Sequence, residues 1–218
     1  MQYNYPGCLI TLEGGEGAGK STQIAFLRDW LAARGISVIC SREPGGSPGA
    51  EEIRSLLNLG ELDKWDEITE AILINAARRD HVVRKIRPAL MRGDWVVCDR
   101  FLDSTLVYQG AGSGIPLDIL RTLINMAVEG LRPDLTLILY IDPLIGLKRI
   151  KRRKSKKTRF DRRDSAFHAR VANGFFNLAM TEPERCALID ATQSPKRVAM
   201  EISSVVSNLL KNKIKYKN

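Results

Sequence analysis

The eight residues Gly14-Gly15-Glu16-Gly17-Ala18-Gly19-Lys20-Ser21 constrain the fold of this chain more than any other stretch. They satisfy GxxxxGK[ST], a phosphate-gripping loop, in the setting such a loop requires. Before them Cys8-Leu9-Ile10-Thr11-Leu12 is a short β-rich apolar run. After them Ile24, Leu27 and Leu31 recur at helical spacing until Gly35 ends the pattern. Strand, glycine-rich turn and helix therefore follow one another directly. The glycines let successive backbone N–H groups turn inward around phosphate oxygens, and the helix N-terminus adds its partial positive charge. Lys20 is placed to reach β/γ oxygens and the Ser21 hydroxyl to ligate Mg²⁺. The segment from Gly14 to Ser21, with Thr22 behind it, is thus the expected site for Mg·ATP or Mg·GTP.

Four further apolar runs, 36–40, 95–98, 135–141 and 186–189, read as strands separated by long helix-patterned stretches. Most are nearly continuous rather than alternating, which places helices on both faces of a parallel sheet. The fold class is therefore α/β, a three-layer α/β/α arrangement with five strands. Pro116 opens a helix expected over 117–131, and Ser194-Pro195 opens the C-terminal one. The whole of 1–218 reads as a single domain, without repeat or low-complexity linker. The longest apolar run, 135–141, is far short of the roughly 18 to 20 residues a membrane span needs, and the N-terminus lacks a basic start followed by an apolar segment. The expectation is a soluble cytoplasmic protein with no membrane partner. Cys8, Cys40, Cys98 and Cys186 form no CxxC pair and read as buried small hydrophobes, while His81 and His168 read as partly exposed helix residues without a catalytic part.

The net charge of +9 is concentrated. Segment 148–163 holds eleven Lys and Arg against the single acid Asp161, so the rest of the chain is within one charge of neutral. Such a segment cannot pack as core and repels itself unless it closes over an anion, either a polyphosphate or a nucleic-acid backbone. Phe160 is the only aromatic among these residues, and no extended basic surface accompanies them, which argues against a strand-tracking site. The lysines at 211, 213, 215 and 217 read as a solvated, frayed terminus.

A phosphate loop does not by itself distinguish kinases from GTPases or motors, so the acceptor site must be sought at the carboxyl ends of the strands. Two loops fit, 41–47 and 99–105. Asp99, at the end of a strand beside the phosphate loop, is the candidate to hold a Mg²⁺-bound water. Taken together, Glu16 in the phosphate loop, Arg42-Glu43-Pro44-Gly45-Gly46, Asp99-Arg100-Phe101, Ser104-Thr105-Leu106-Val107-Tyr108-Gln109-Gly110 and Arg132-Pro133-Asp134 resemble the bacterial thymidylate kinases over nearly the whole chain.

That resemblance implies a P-loop nucleoside-monophosphate kinase that uses ATP and Mg²⁺ to convert dTMP to dTDP, assembled as a homodimer and with no nucleic acid as partner. It implies that Arg54 and Arg100 bind the acceptor phosphate and that Glu16 accepts a hydrogen bond from the sugar 3′-hydroxyl. Arg78, Ser104 and Thr105 would meet the thymine edge, Pro44 and Gln109 would line the same pocket, and Tyr108 would crowd the 2′ position. The sequence Glu16-Gly17 implies that the catalytic arginine sits in the lid, segment 148–163, with Arg152 and Arg153 the first candidates and Arg159 the third. Lys20, Arg100 and Asp99 complete the expected catalytic set. One departure stands out: Ile74 occupies the place where the family usually stacks a Phe on the base. The alternatives are a nucleoside-monophosphate kinase of other base preference, or a nucleic-acid-binding P-loop ATPase.

Overall fold

The structure is a computed structural model that describes residues 5–152 and 159–215. Strand β1 (Cys8–Glu13) is buried along its whole length. Beyond the phosphate loop α1 (Lys20–Ala32) begins, and its end is closed by the Ile36 N–H bonding back to the Leu31 carbonyl. This closure consumes residue 36, so β2 runs Val38–Arg42, two residues later than the apolar run indicated. Helices α2 (Pro48–Asn58) and α3 (Glu67–His81) follow. Pro48 starts the first, and the Asp66 side chain accepts from the N–H groups of Ile68 and Thr69 to start the second. A π-helical turn, Val82–Ile86, joins α3 to the short α4 (Arg87–Met91).

After β3 (Trp95–Asp99) and α5 (Leu102–Thr105), a second π-helical stretch, Leu106–Gly112, precedes α6 (Leu117–Val128). The chain continues through β4 (Leu135–Tyr140), α7 (Pro143–Arg152), α8 (Ser165–Thr181), β5 (Cys186–Asp190) and α9 (Pro195–Lys215). The last helix extends to Lys215, further than a frayed lysine-rich terminus suggests.

The five strands are parallel in the order β2-β3-β1-β4-β5, with Leu12 opposite Asp99 on one side and opposite Leu137 on the other. Successive β1 side chains point to opposite faces. Cys8, Ile10 and Leu12 pack with Leu27, Leu31, Val198 and Ile202 beneath α1 and α9. Leu9 packs on the other face with Ile86, Phe101, Ile124 and Val128. Both faces are covered at the centre, but β2 at the edge is only partly buried along its length, and Cys40 with it. The remaining cysteines are buried, and all four are free thiols. Because neighbours of β1 on its two sides lead away in opposite directions, the crevice at its carboxyl end is the switch point where α/β sheets bind ligands.

Candidate active site

The phosphate loop fills that crevice. Gly17 has φ of +73° and lies against α7 so closely that a methyl on it would meet the Gly146 carbonyl at 2.2 Å. Only glycine has both the conformational freedom and the missing side chain this position requires. Lys20, almost fully buried, donates from Nζ to the Gly14 and Gly15 carbonyls at 3.0 and 3.1 Å. Burial and the neighbouring Arg100 lower its pKa, although Asp99 and Glu16 pull the other way. An incoming phosphate would relieve that penalty. At the start of α1 the Ser21 hydroxyl donates to Asp99 Oδ2 at 3.3 Å, while Asp99 Oδ1 is buried without a hydrogen-bond partner. Thr22 follows on the exposed side of the same turn, its N–H on the Gly19 carbonyl.

An orphaned carboxylate oxygen next to a hydroxyl fits a hydrated divalent cation held chiefly by nucleotide phosphates. Among the described residues no cluster of three His, Cys, Asp or Glu forms a self-sufficient metal cage.

Beside the loop lies a cavity of about 160 Å³. All ten residues expected at the acceptor pocket line it: Glu16, Pro44, Arg54, Ile74, Arg78, Arg100, Ser104, Thr105, Tyr108 and Gln109. Arg100, at φ +66°, ties the cavity to the phosphate loop. Its Nη1 donates to Gly14 O and Ser104 Oγ, and its Nη2 to Glu16 Oε1 at 2.7 Å and Tyr108 Oη at 2.9 Å. The Tyr108 hydroxyl in turn donates to the same Glu16 oxygen at 3.0 Å, which leaves Oε2 to a ligand. Burial alone would raise the Glu16 carboxyl, but Arg100, Lys20 and Tyr108 hold it below its ordinary value. Burial and Glu16 push the Tyr108 phenol well up, so it stays a neutral donor.

Arg78 is not surface charge on a helix. It is buried, with four of its five N–H hydrogens taken by Glu43, Asn75, Thr105 and the Phe101 carbonyl at 2.7 to 3.1 Å, leaving one on Nη2. Glu43 also accepts His81 Nδ1, whose other ring nitrogen meets Ser41 Oγ at 2.6 Å. Burial would raise the Glu43 carboxyl, but Arg78 and His81 outweigh it and lower its pKa. The expectation of partly exposed histidines is corrected here: His81 is wholly buried as a strut behind the cavity, and His168 is buried on α8. A histidine read from its helix alone looks solvated because the loop that covers it is remote in sequence.

Sequence reasoning did not single out Glu13. Fully buried at the end of β1, it accepts the Phe101 and Ser104 N–H groups and the Ser104 hydroxyl, and so clamps the turn that carries Arg100. Burial and the nearby Asp103 raise its pKa to about 7. Asp103 forms a two-pronged ion pair with Arg185 at 2.7 and 2.8 Å. Glu43 and Phe101, from the 42–46 and 99–101 motifs, also line the cavity, as do Asn58, Phe160 and Asp161, which only a pattern linking distant segments could have revealed.

The lid arginines divide. Arg153 and the side chain of Arg152 lie outside the described residues. Arg159, the third-ranked candidate for the lid arginine, is buried and ion-paired with Glu70, with further bonds to the Leu57 and Leu62 carbonyls. Its charge is already matched inside the protein, so that expectation is corrected. Arg162 donates to the Gly60 carbonyl, Arg163 lies over the Phe167 ring, and Arg149 donates to the Ala191 carbonyl.

Comparison with known proteins gives a consistent result. The family model described as thymidylate kinase matches residues 12–202. A thymidylate kinase of Caulobacter vibrioides is 50% identical over 200 residues, 92% of this chain and 96% of that protein. One of Rhizorhabdus wittichii is 47% identical over 206 residues, 94% of this chain and 99% of that protein. The crystal structure of thymidylate kinase from Ehrlichia chaffeensis is similar with a TM-score of 0.74 at 33% identity, covering 92% of this chain and 98% of that one.

Proposed function

The chain belongs to the thymidylate kinase family and is a kinase that uses ATP to phosphorylate dTMP to dTDP, and from this premise we propose how its residues share the work. The lining of a single cavity by all ten expected acceptor residues, next to a complete phosphate loop, carries the assignment.

The dTMP phosphate sits between the guanidiniums of Arg100 and Arg54, whose planar forks match phosphate geometry. Oε2 of Glu16 accepts the 3′-hydroxyl, and the Tyr108 ring closes on the sugar where a ribose 2′-hydroxyl would project. The spare Nη2 hydrogen of Arg78, with Ser104, Thr105 and Gln109, reads the base edge, and Pro44 and Ile74 cover apolar surface. The loop amides from Gly14 to Ser21 and Lys20 hold the donor phosphates. Ser21 and, through water, Asp99 would hold Mg²⁺, which when bound neutralises phosphate oxygens. A dTMP phosphate oxygen then attacks the γ-phosphorus in line with the departing ADP oxygen. With the phosphates so fixed, positioning and electrostatic stabilisation supply the catalysis. Arg152 and Arg153 are the lid cations for the transferring group, so the basic segment serves nucleotide rather than nucleic acid.

The assembly we propose is a homodimer. Ile68 and Ile72 on α3 and Ile119 and Met126 on the adjacent α6 are exposed apolar residues at helical spacing, the kind of face a second copy covers. The setting we propose is cytoplasmic. It is consistent with four free thiols and with the absence, among the described residues, of a helix long and apolar enough to cross a membrane.

ADP release measured with dTMP, dUMP, UMP, CMP, AMP and GMP tests the acceptor assignment. Preference for dTMP, with turnover lost in Lys20→Ala, is the expected result; equal use of another monophosphate would overturn it.

A further inference from the structure

Glu70 stands in the first turn of α3 and is buried, with both carboxylate oxygens committed. Oε1 accepts from Gln109 Nε2 at 2.9 Å, and Gln109 is a wall of the acceptor cavity. Oε2 is ion-paired with Arg159, which is buried to the same degree and lies 89 residues away at the root of the basic lid segment. Arg159 also donates to main-chain carbonyls at the end of α2 and in the loop after it. The next residue, Phe160, is only half-buried, lines the cavity, and stands edge-on to the Tyr108 ring with centroids 6.1 Å apart.

Isolated buried ion pairs contribute little net stability, and apolar replacements of similar shape often do as well. A pair that joins two remote segments at the edge of a ligand cavity is better explained by the geometry it imposes. Phe160 has no strand or long helix of its own to hold it; it sits in a single 3₁₀ turn, Phe160–Arg162. The bonds of Arg159, together with the Arg162 bond to the Gly60 carbonyl, fasten that turn to the acceptor side. Ile74, Arg78 and Thr105 line the same cavity, and among them the Phe160 ring offers a large apolar surface that dTMP would cover on entry.

We propose that Glu70 is a positioning residue for dTMP: by holding Arg159 and Gln109 on one carboxylate, it sets Phe160 as an aromatic wall of the acceptor pocket. The proposal rests on the dTMP reading of that pocket and deepens it. The lid root thereby belongs to the acceptor site, and acceptor affinity depends on it while donor affinity does not.

The test is steady-state kinetics of the full chain and of Glu70→Gln, Phe160→Leu and the double variant, with dTMP and ATP varied separately. Each single substitution is expected to raise the KM for dTMP about tenfold, the size of a lost aromatic wall, and to leave the KM for ATP within about twofold. The double variant should fall clearly short of the product of the two single effects, because Glu70 acts on dTMP in part through Phe160. Independent, multiplying losses, an equal rise in the KM for ATP, or an unchanged KM for dTMP in either single variant would overturn the proposal. Should Glu70→Gln fail to accumulate as folded protein, Arg159→Lys combined with Phe160→Leu poses the same question with the same outcomes. A wrong reading of the acceptor itself would show separately, as no dTMP-dependent turnover in the unmodified chain.

Discussion

Gly146 in α7 offers a sharp test of how the phosphate loop is held. A methyl built on it would lie 2.2 Å from the Glu16 carbonyl oxygen, whereas side-chain β-carbons essentially never come within 3.0 Å of such an atom. The obstructing atom is backbone, so either the loop or α7 must retreat by about 1 Å for the Gly146→Ala protein to fold. Helix propensity alone predicts the opposite, a gain of about 1 kcal/mol, since Gly146 does not need a positive φ. Overpacking costs about 1 to 3 kcal/mol, which leaves a net loss of roughly 0 to 2 kcal/mol and a fall in Tm of a few degrees for a chain this size. Activity should suffer far more, because a 1 Å misplacement of bound phosphates costs on the order of a hundredfold in rate. Thermal unfolding and kcat/KM from coupled ADP release, measured on the same preparation, separate the two effects. A variant that is both stabilised and fully active would refute the reasoning, since it would mean that α7 and the loop do not share this contact.

The remaining predictions concern buried charge, metal and base. Glu13, raised to about 7 by burial and Asp103, favours folding while protonated. Its contribution is complete below the unfolded value near 4.5 and is lost as pH climbs through about 7, a fall of about 3 kcal/mol. Glu13→Gln should flatten that part of the stability profile in denaturant titrations at pH 5 and pH 8; parallel profiles for the two proteins would contradict it. Asp99→Asn should raise the Mg²⁺ concentration for half-maximal turnover by about tenfold with little change in Tm, and an unchanged Mg²⁺ dependence would remove Asp99 from the metal site. Ile74→Phe should tighten dTMP binding about three- to tenfold by calorimetry, whereas weaker binding would show that the cavity has no room for a ring there.

The donor half of the proposed site was legible because its chemistry is local. A loop whose glycines, lysine and serine are contiguous can be read from one segment, and the strand and helix around it follow from adjacent periodicity. The proposed acceptor residues became readable only through resemblance, since Arg54 and Arg78 each look like ordinary surface arginines along their own helix. What stayed hidden is the charge that pairs across the fold. Glu43 meets Arg78 across 35 positions, Asp103 meets Arg185 across 82 and Glu70 meets Arg159 across 89. No periodicity distinguishes a carboxylate that will be buried against a distant guanidinium from one left in water. For that reason Glu70 does not stand out along the chain and Arg159 reads as a lid candidate, while Glu13 is hidden because the amides it accepts lie 88 and 91 positions away. The shift of β2 has a more local cause: the closure of α1 captured Ile36, and apolar content alone does not separate a helix-terminal turn from the first residue of a strand.

The central claim is that one cavity beside the phosphate loop receives dTMP with its phosphate toward Arg100. A crystal structure of the chain with dTMP, Mg²⁺ and a non-hydrolysable ATP analogue tests it most directly. The account predicts the dTMP phosphate on Arg54 and Arg100, the 3′-hydroxyl on Glu16, and the base between Ile74 and the Arg78 edge. A dTMP bound outside that cavity, or bound with its base toward Lys20, would contradict it.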